Sequence, residues 1–197
     1  FAQRTLRHVG RCAHAAVLLA VGGKMLDGGT NPLALYAIDV PGGQSFQESA
    51  TLSPGSEVTV FDTPWGRMGL CICFDFRFPE LAHLMALSGA KVLLVPAAFN
   101  MTTGPAHWEL LFRQRAVDTQ CFTVGTSPAR DETASYVAWG HSIVCDPWGT
   151  VLHTCGHGEE VAVTDLDLSR VDAVRQQLPL LSARRTDVYT LRPVHDA

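Results

Sequence analysis

Apolar and polar positions follow two different periods along most of this chain, and the changes of period mark its elements. Residues 58–61 and 68–73 are short apolar runs on either side of Thr63-Pro64-Trp65-Gly66, which predicts two strands around a tight turn. Residues 78–88 read as a helix with Pro79 in its first turn and Gly89 closing it. Lys91-Val92-Leu93-Leu94-Val95-Pro96 is continuously apolar after its lysine, the pattern of a strand buried on both faces. A polar loop over 99–105 leads into a helix over 106–119, and 121–126 returns to strand. Residues 141–145, 151–154 and 161–165 predict a late antiparallel group, with Asp146-Pro147-Trp148-Gly149 turning between the first two. A last helix is expected over 169–177. Strand, helix, strand, helix, strand and hairpins make a mixed sheet covered by helices. Functional groups in such a sheet gather at the carboxyl ends of the strands, so the loops after Cys73, Pro96 and Thr126 should converge.

The opening stretch has a different texture. Gly22-Gly23 and Gly28-Gly29-Thr30-Asn31-Pro32 punctuate a segment without clear period, so residues 1–35 are expected to be an irregular leader. Arg4, Arg7, Arg11 and Lys24 precede the first acidic residue, Asp27, giving the charge of a transit peptide without its usual serines.

Composition narrows the class. The 197 residues are 47% hydrophobic and 17% charged, enough for one α/β domain with a sizeable core. A net charge of −4 gives no reason to expect a nucleic acid or an anionic membrane as partner. No apolar run reaches the ~18 residues of a membrane span. The six cysteines are scattered through apolar runs, unlike a disulfide framework, and indicate a reducing compartment. The expected location is cytoplasmic, with the basic leader leaving mitochondria open. Cys71 and Cys73 cannot form a zinc site alone, because no second ligand pair follows at a useful spacing. With no ligand cluster or phosphate loop in view, no metal or organic cofactor is implied.

Cys73 carries the candidate chemistry. It ends a strand and is followed within a few residues by a helix, an elbow that exposes a side chain at the sheet edge. A thiol near a helix N-terminus is also driven toward thiolate. The competing reading, a buried strand cysteine, describes Cys71 well.

Gly69-Leu70-Cys71-Ile72-Cys73-Phe74-Asp75-Phe76-Arg77-Phe78-Pro79-Glu80-Leu81-Ala82 resembles the nucleophile motif of the nitrilase superfamily of carbon–nitrogen hydrolases. The resemblance continues through Ile38-Asp39-Val40-Pro41-Gly42-Gly43, Phe46-Gln47-Glu48-Ser49, the segment 99–109, Ser127-Pro128-Ala129-Arg130 and the segment 136–142. It is nearest to the omega-amidase branch and covers the later three-fifths of a family domain, from residue 36 onward. It implies an incomplete α-β-β-α sandwich with a mixed sheet, dimerised through helices where the fold is complete. It also implies hydrolysis of the amide of a small dicarboxylate monoamide such as α-ketoglutaramate or succinamate, through a cysteine thioester that releases ammonia.

Residue by residue, the resemblance makes Cys73 the nucleophile and Glu48 the glutamate that orients the substrate amide. The backbone N–H of Phe74 falls at an oxyanion donor. Arg77 matches the residue that pairs with the far carboxylate, and Phe99 and Thr103 match the wall and hydroxyl donor of that pocket. Read without the family, Arg77 is a partner for Asp75 or Glu80. His107 and His141 read as structural donors, Glu109–Arg113 as an i,i+4 pair, and Arg115 and Asp118 as ion-pair candidates. Tyr136 and Trp139 read as scaffold.

Two family groups have no counterpart. The position of the family lysine falls on Pro32, and no acidic residue stands where the general-base glutamate should precede it. The chain is therefore expected to be inactive or nearly so. The alternatives are an amidase lacking part of its site and a degenerate homologue kept for binding or oligomerisation. A Cys–His peptidase has no signature here. Missing covering elements would leave sheet edges exposed, so the chain expressed alone should aggregate or dimerise non-specifically. Sedimentation and a thermal melt check this, and a monodisperse, cooperatively melting sample would contradict it.

Overall fold

A computed structural model describes residues 53–194 throughout, residues 33–34, and the backbone of 5–11, 37–39 and 45–47. Six strands form the main sheet: β4 (Thr59–Thr63), β5 (Gly66–Leu70), β6 (Val92–Pro96), β7 (Phe122–Thr126), β8 (Ile143–Cys145) and β9 (Val151–Thr154), side by side in that order. The central pairs β5–β6 and β6–β7 are parallel, and the outer pairs are antiparallel. Helices α1 (Pro79–Leu87) and α2 (Gly104–Thr119) make the two crossovers that parallel pairing requires. Two small antiparallel pairs stand apart, β1 (Thr5–Arg11) with β10 (Val161–Asp167) and β2 (Ala37–Asp39) with β3 (Ser45–Gln47). Helix α3 (Ser169–Gln177) follows β10.

Alternation across the central strands sorts the core into two layers. Leu93 and Val95 join Ile143 and Cys145 beneath Ala82 and Met85 of α1 and Trp108, Phe112 and Ala116 of α2. Val92 and Leu94 join Phe122, Val124 and Val144 on the opposite face, covered by Leu166 of β10 and Leu168 and Val171 at α3. The unbroken apolar run at 92–95 is thus explained by burial on both faces. Two glycines set the helix distances. A Cβ at Gly69 would lie 2.7 Å from Met85 Sδ, and one at Gly125 would lie 2.4 Å from Phe112 Cζ.

Three expectations change. The late strands do not form one group: β8 and β9 continue the main sheet, whereas β10 pairs with β1 over seven residues. The stretch expected to be irregular therefore supplies one strand, because β10 offers a ladder of backbone groups that alternation alone does not reveal. The strand expected to reach Cys73 stops at Leu70, for a reason found in the turn that follows.

At the amino-terminal edge of the sheet, α3 acts as a clasp. Lys91 Nζ lies 2.7 Å from Asp172, and Arg175 donates to the carbonyls of Ala90 and Thr119 and to Cys121 Sγ. Asp146 ties the β8–β9 turn to the same helix. Its Oδ1 accepts from the N–H groups of Trp148 and Thr150, both at 2.9 Å, and its Oδ2 lies 2.7 Å from Arg170. The carboxylate side chain is only 3% exposed, so removing it strands two donors and a guanidinium. Asp146→Ala should lower unfolding free energy by roughly 2–4 kcal/mol. Arg170→Ala should cost less, since that arginine is half exposed. Denaturant melts check both, and a loss below about 1 kcal/mol for Asp146→Ala would remove this turn from the stabilising framework.

Candidate active site

Strand β5 ends because a carboxylate takes over the backbone. Cys71 N–H makes the last bond toward the sheet, 3.2 Å to Leu94 O. The next amide, that of Ile72, donates instead to Asp75 Oδ2 at 3.0 Å, and Asp75 Oδ1 accepts the Ala34 N–H at 2.6 Å. Asp75 N–H returns a bond to Ile72 O at 3.0 Å. The chain between these points is a 3₁₀ turn, Cys73–Arg77. Cys73 opens it at φ +48°, a left-handed conformation that costs a non-glycine residue about 1–3 kcal/mol and persists only where surrounding structure enforces it.

That enforcement is visible at each step of the turn. Asp75 and Phe76 are buried, and the Phe76 ring packs 4.7 Å from Phe112 of α2. Arg115, also from α2 and buried, donates to Arg77 O at 2.9 Å and pairs with Asp118 at 3.3 Å. Phe78 N–H closes onto Asp75 O, and Pro79 then starts α1. Burial pushes the Asp118 carboxyl up despite the nearby Arg115.

Cys73, Phe74, Arg77, Ala98, Phe99, Thr103 and Tyr136 line one small pocket at the carboxyl edge of the sheet. Cys73 Sγ lies 4.0 Å from Ala98 O, which also accepts the Tyr136 hydroxyl at 2.6 Å. The loop after β6 and the loop after β7 are joined by Trp139 N–H to Phe99 O at 2.7 Å and by a bridge between Asn100 and Ala138. Asn100 Oδ1 accepts from the backbone N–H groups of Thr102 and Thr103 and from the Thr103 hydroxyl. The Arg77 guanidinium sits 4.4 Å above the Phe99 ring, and one of its nitrogens is 3.1 Å from His107 Nδ1. Phe99 is itself braced edge-on by Trp108 at 5.1 Å.

The structure thus brings Cys73, Phe74, Arg77, Phe99 and Thr103 together, while Glu48 lies outside the described residues. The alternative partner for Arg77 does not hold for Asp75, whose oxygens serve Ile72 and Ala34. His141 has a structural place, its ring against Trp139 and its Nδ1 3.1 Å from Cys155 O. Glu109 and Arg113 form the expected exposed pair at 3.3 Å. Sequence reading missed two residues. Tyr136 lines the pocket although it reads as scaffold, and its only signal is its place in the loop after β7. Asp75 governs the elbow, and its signal is a lone acid inside an aromatic run. A His153–Cys155–Glu160 cluster lies on the connection from β9 to β10, outside this pocket. No helix among the described residues is long and apolar enough to cross a membrane.

The other described thiols differ from Cys73 in burial. Cys71 and Cys121 are fully enclosed and burial pushes both up, while Cys145 is pushed up to about 12 by the same cause. At neutral pH a group at that value has a thiolate fraction of roughly 10⁻⁵. Iodoacetamide at pH 7 should therefore modify Cys73 well before Cys71, Cys121 and Cys145, and raising the pH should speed those three only at strongly alkaline values. Peptide mapping over time checks this, and equal slow labelling of all four would contradict a more accessible, reactive Cys73.

The chain matches the carbon-nitrogen hydrolase family over residues 6–176. It is 55% identical to omega-amidase NIT2 of Mus musculus over 157 residues, 80% of this chain and 57% of that protein. The Homo sapiens omega-amidase NIT2 is 54% identical with the same shares covered, so the chain spans little more than half the length of these relatives. Among solved structures, Saccharomyces cerevisiae Nit3, a member of branch 10 of the nitrilase superfamily, superposes with a TM-score of 0.67 at 50% identity, over 70% of this chain and 51% of that one. The C. elegans NitFhit protein superposes with a TM-score of 0.75 at 41% identity, over 82% and 39% of the respective chains. A strained cysteine elbow at the edge of a mixed sheet and identity of this extent have one common explanation: the chain belongs to the nitrilase superfamily of carbon–nitrogen hydrolases, on its omega-amidase-like branch.

Proposed function

We propose that Cys73 is the nucleophile of an amidase of the omega-amidase type, acting on a small dicarboxylate monoamide such as succinamate or α-ketoglutaramate. The observation that carries this reading is the convergence of Cys73 and Arg77 from one turn, Phe99 and Thr103 from the loop after β6, and Tyr136 from the loop after β7 on one pocket. Cys73 Sγ attacks the amide carbon, the carbonyl oxygen becomes an oxyanion beside the Phe74 N–H, and ammonia leaves with a proton as the C–N bond breaks. Water then resolves the thioester and frees the acid. Arg77 is the cation for the far carboxylate. Its position over Phe99 and beside His107 restricts it before substrate arrives, which reduces the ordering cost of binding. Glu48 orients the substrate amide on the same reading.

The residues here supply neither the family lysine nor its glutamate base. A positioned base contributes about 10²–10⁴-fold to such a step, so turnover by this chain alone should be very slow. That shortfall keeps a second reading in play, a binding homologue that holds the diacid monoamide without cleaving it. Ammonia release from succinamate, measured for the chain and for Cys73→Ala, separates the two. Slow release that Cys73→Ala abolishes supports the amidase; release unchanged in that variant would sink Cys73 as nucleophile. Succinate should also protect Cys73 from iodoacetamide whether or not turnover is detectable. Arg77→Lys should weaken that protection by about tenfold, because a bidentate contact is lost. Equal protection in both proteins would remove Arg77 from carboxylate recognition, and protection with no ammonia release would favour the binding reading.

A further inference from the structure

The connection from β9 to β10 carries a cluster that the amide chemistry does not use. His153 lies in β9, Cys155 follows two residues later and therefore on the same side of the chain, and Glu160 returns just before β10. One ligand atom from each of the three side chains lies within 4.8 Å of the others. Cys155 Sγ is 3.7 Å from His153 Nε2, and that nitrogen is 3.8 Å from Glu160 Oε1.

The nitrogen–oxygen separation is too long for a hydrogen bond. It is close to what a shared cation imposes. With ordinary zinc–ligand lengths, tetrahedral edges come to about 3.5 Å for sulfur–nitrogen and about 3.3 Å for nitrogen–oxygen. The two edges at His153 therefore exceed these lengths by about half an ångström or less, and the third, from Cys155 to Glu160, lies within 4.8 Å, a range that a half-exposed histidine and glutamate can close.

The support around these atoms is already in place. Glu160 Oε2 accepts the Gly156 N–H at 2.9 Å, which leaves Oε1 as the atom facing His153. Cys155 is fixed on both sides, its N–H donating to Ser142 O at 2.8 Å and its carbonyl lying 3.1 Å from His141 Nδ1. Its residue is 5% exposed, so the sulfur sits at the floor of the cluster and the two longer side chains at its rim.

We propose that His153, Cys155 and Glu160 form a three-ligand site for a zinc-class divalent cation, with water in the fourth position. Imidazole, thiolate and carboxylate are a donor set suited to zinc, and an exposed rim is what an open fourth position needs. On binding, the Cys155 thiol gives its proton to solvent and the metal–sulfur bond takes its place. Sequence spacing hides this site, because His-x-Cys followed five residues later by Glu is not a familiar ligand pattern. Only the turn of the β9–β10 connection makes the three adjacent.

Titration of the reduced chain with Co²⁺, followed by competition with Zn²⁺, tests the proposal. One equivalent of Co²⁺ should bind with a thiolate-to-cobalt charge-transfer band, and Zn²⁺ should displace it. Cys155→Ser should abolish the band. His153→Gln and Glu160→Gln should each weaken binding by at least about tenfold, and both positions are exposed enough to keep the metal-free melting temperature unchanged. Cys73→Ser should leave the titration as it is. A band that persists in Cys155→Ser, a band lost in Cys73→Ser, or no band with millimolar Co²⁺ would overturn the site.

Discussion

The site depends on what the Asp75 carboxylate does to the backbone at the end of β5. A strand amide would ordinarily continue the ladder. At Ile72 it is drawn instead to Asp75 Oδ2, and the next residue takes φ +48°. The hydrogen bond of a backbone donor to a buried carboxylate is worth about 1.5–3 kcal/mol, comparable to the 1–3 kcal/mol that a left-handed cysteine costs. The strain at Cys73 is thus opposed locally by the acid two residues away. The helices then hold the acid: Phe76 against Phe112 and the Arg77 carbonyl on Arg115 both anchor the turn to α2. A helix that covers the sheet also fixes the conformation of the Cys73 turn.

The two edges of the sheet are held by different means. At the amino-terminal edge, side chains of α3 satisfy the carbonyls of Ala90 and Thr119 and the last strand turns are closed by buried or half-buried charges. At the carboxyl edge, backbone bonds between loops predominate, such as Ala97 to Thr126 and Trp139 to Phe99. Charged long-range clamps at one end leave the other free to present Arg77 and the Cys73 thiol to a pocket. Close helix packing makes this possible, because glycine at 69 and 125 lets α1 and α2 approach the strands that carry the loops.

Much of this was legible from pattern alone. The two-faced burial of β6 follows from its unbroken apolar run, and α3 occupies the expected residues 169–177 because Ser169 and the Val171–Val174 spacing mark it plainly. The convergence of three loops follows from parallel topology, and it occurs. What pattern could not supply was partner choice. The pairing of β10 with β1 depends on which ladder is vacant, not on period. The role of Asp75 depends on a bond to the residue three places before it, and an acid in an aromatic run looks equally like a salt-bridge partner. Tyr136 reaches the pocket only because its loop folds back onto Ala98.

The pocket beside Cys73 is shaped by neighbouring elements of one sheet edge. Residues that shape the cavity lie in the turn after β5 and the loops after β6 and β7. They are held by Asp75 on the Ile72 and Ala34 amides, by Arg115 on the Arg77 carbonyl and by Tyr136 on Ala98 O. Arg130 N–H to His157 O and His141 N–H to Gly156 O tie the last loop to the connection after β9. The left-handed backbone at Cys73 and the place of the Arg77 guanidinium over Phe99 are thus coupled through α2, which holds the turn by Phe112 and Arg115 and braces Phe99 by Trp108. A change in how α2 seats on the sheet would therefore move both side chains together.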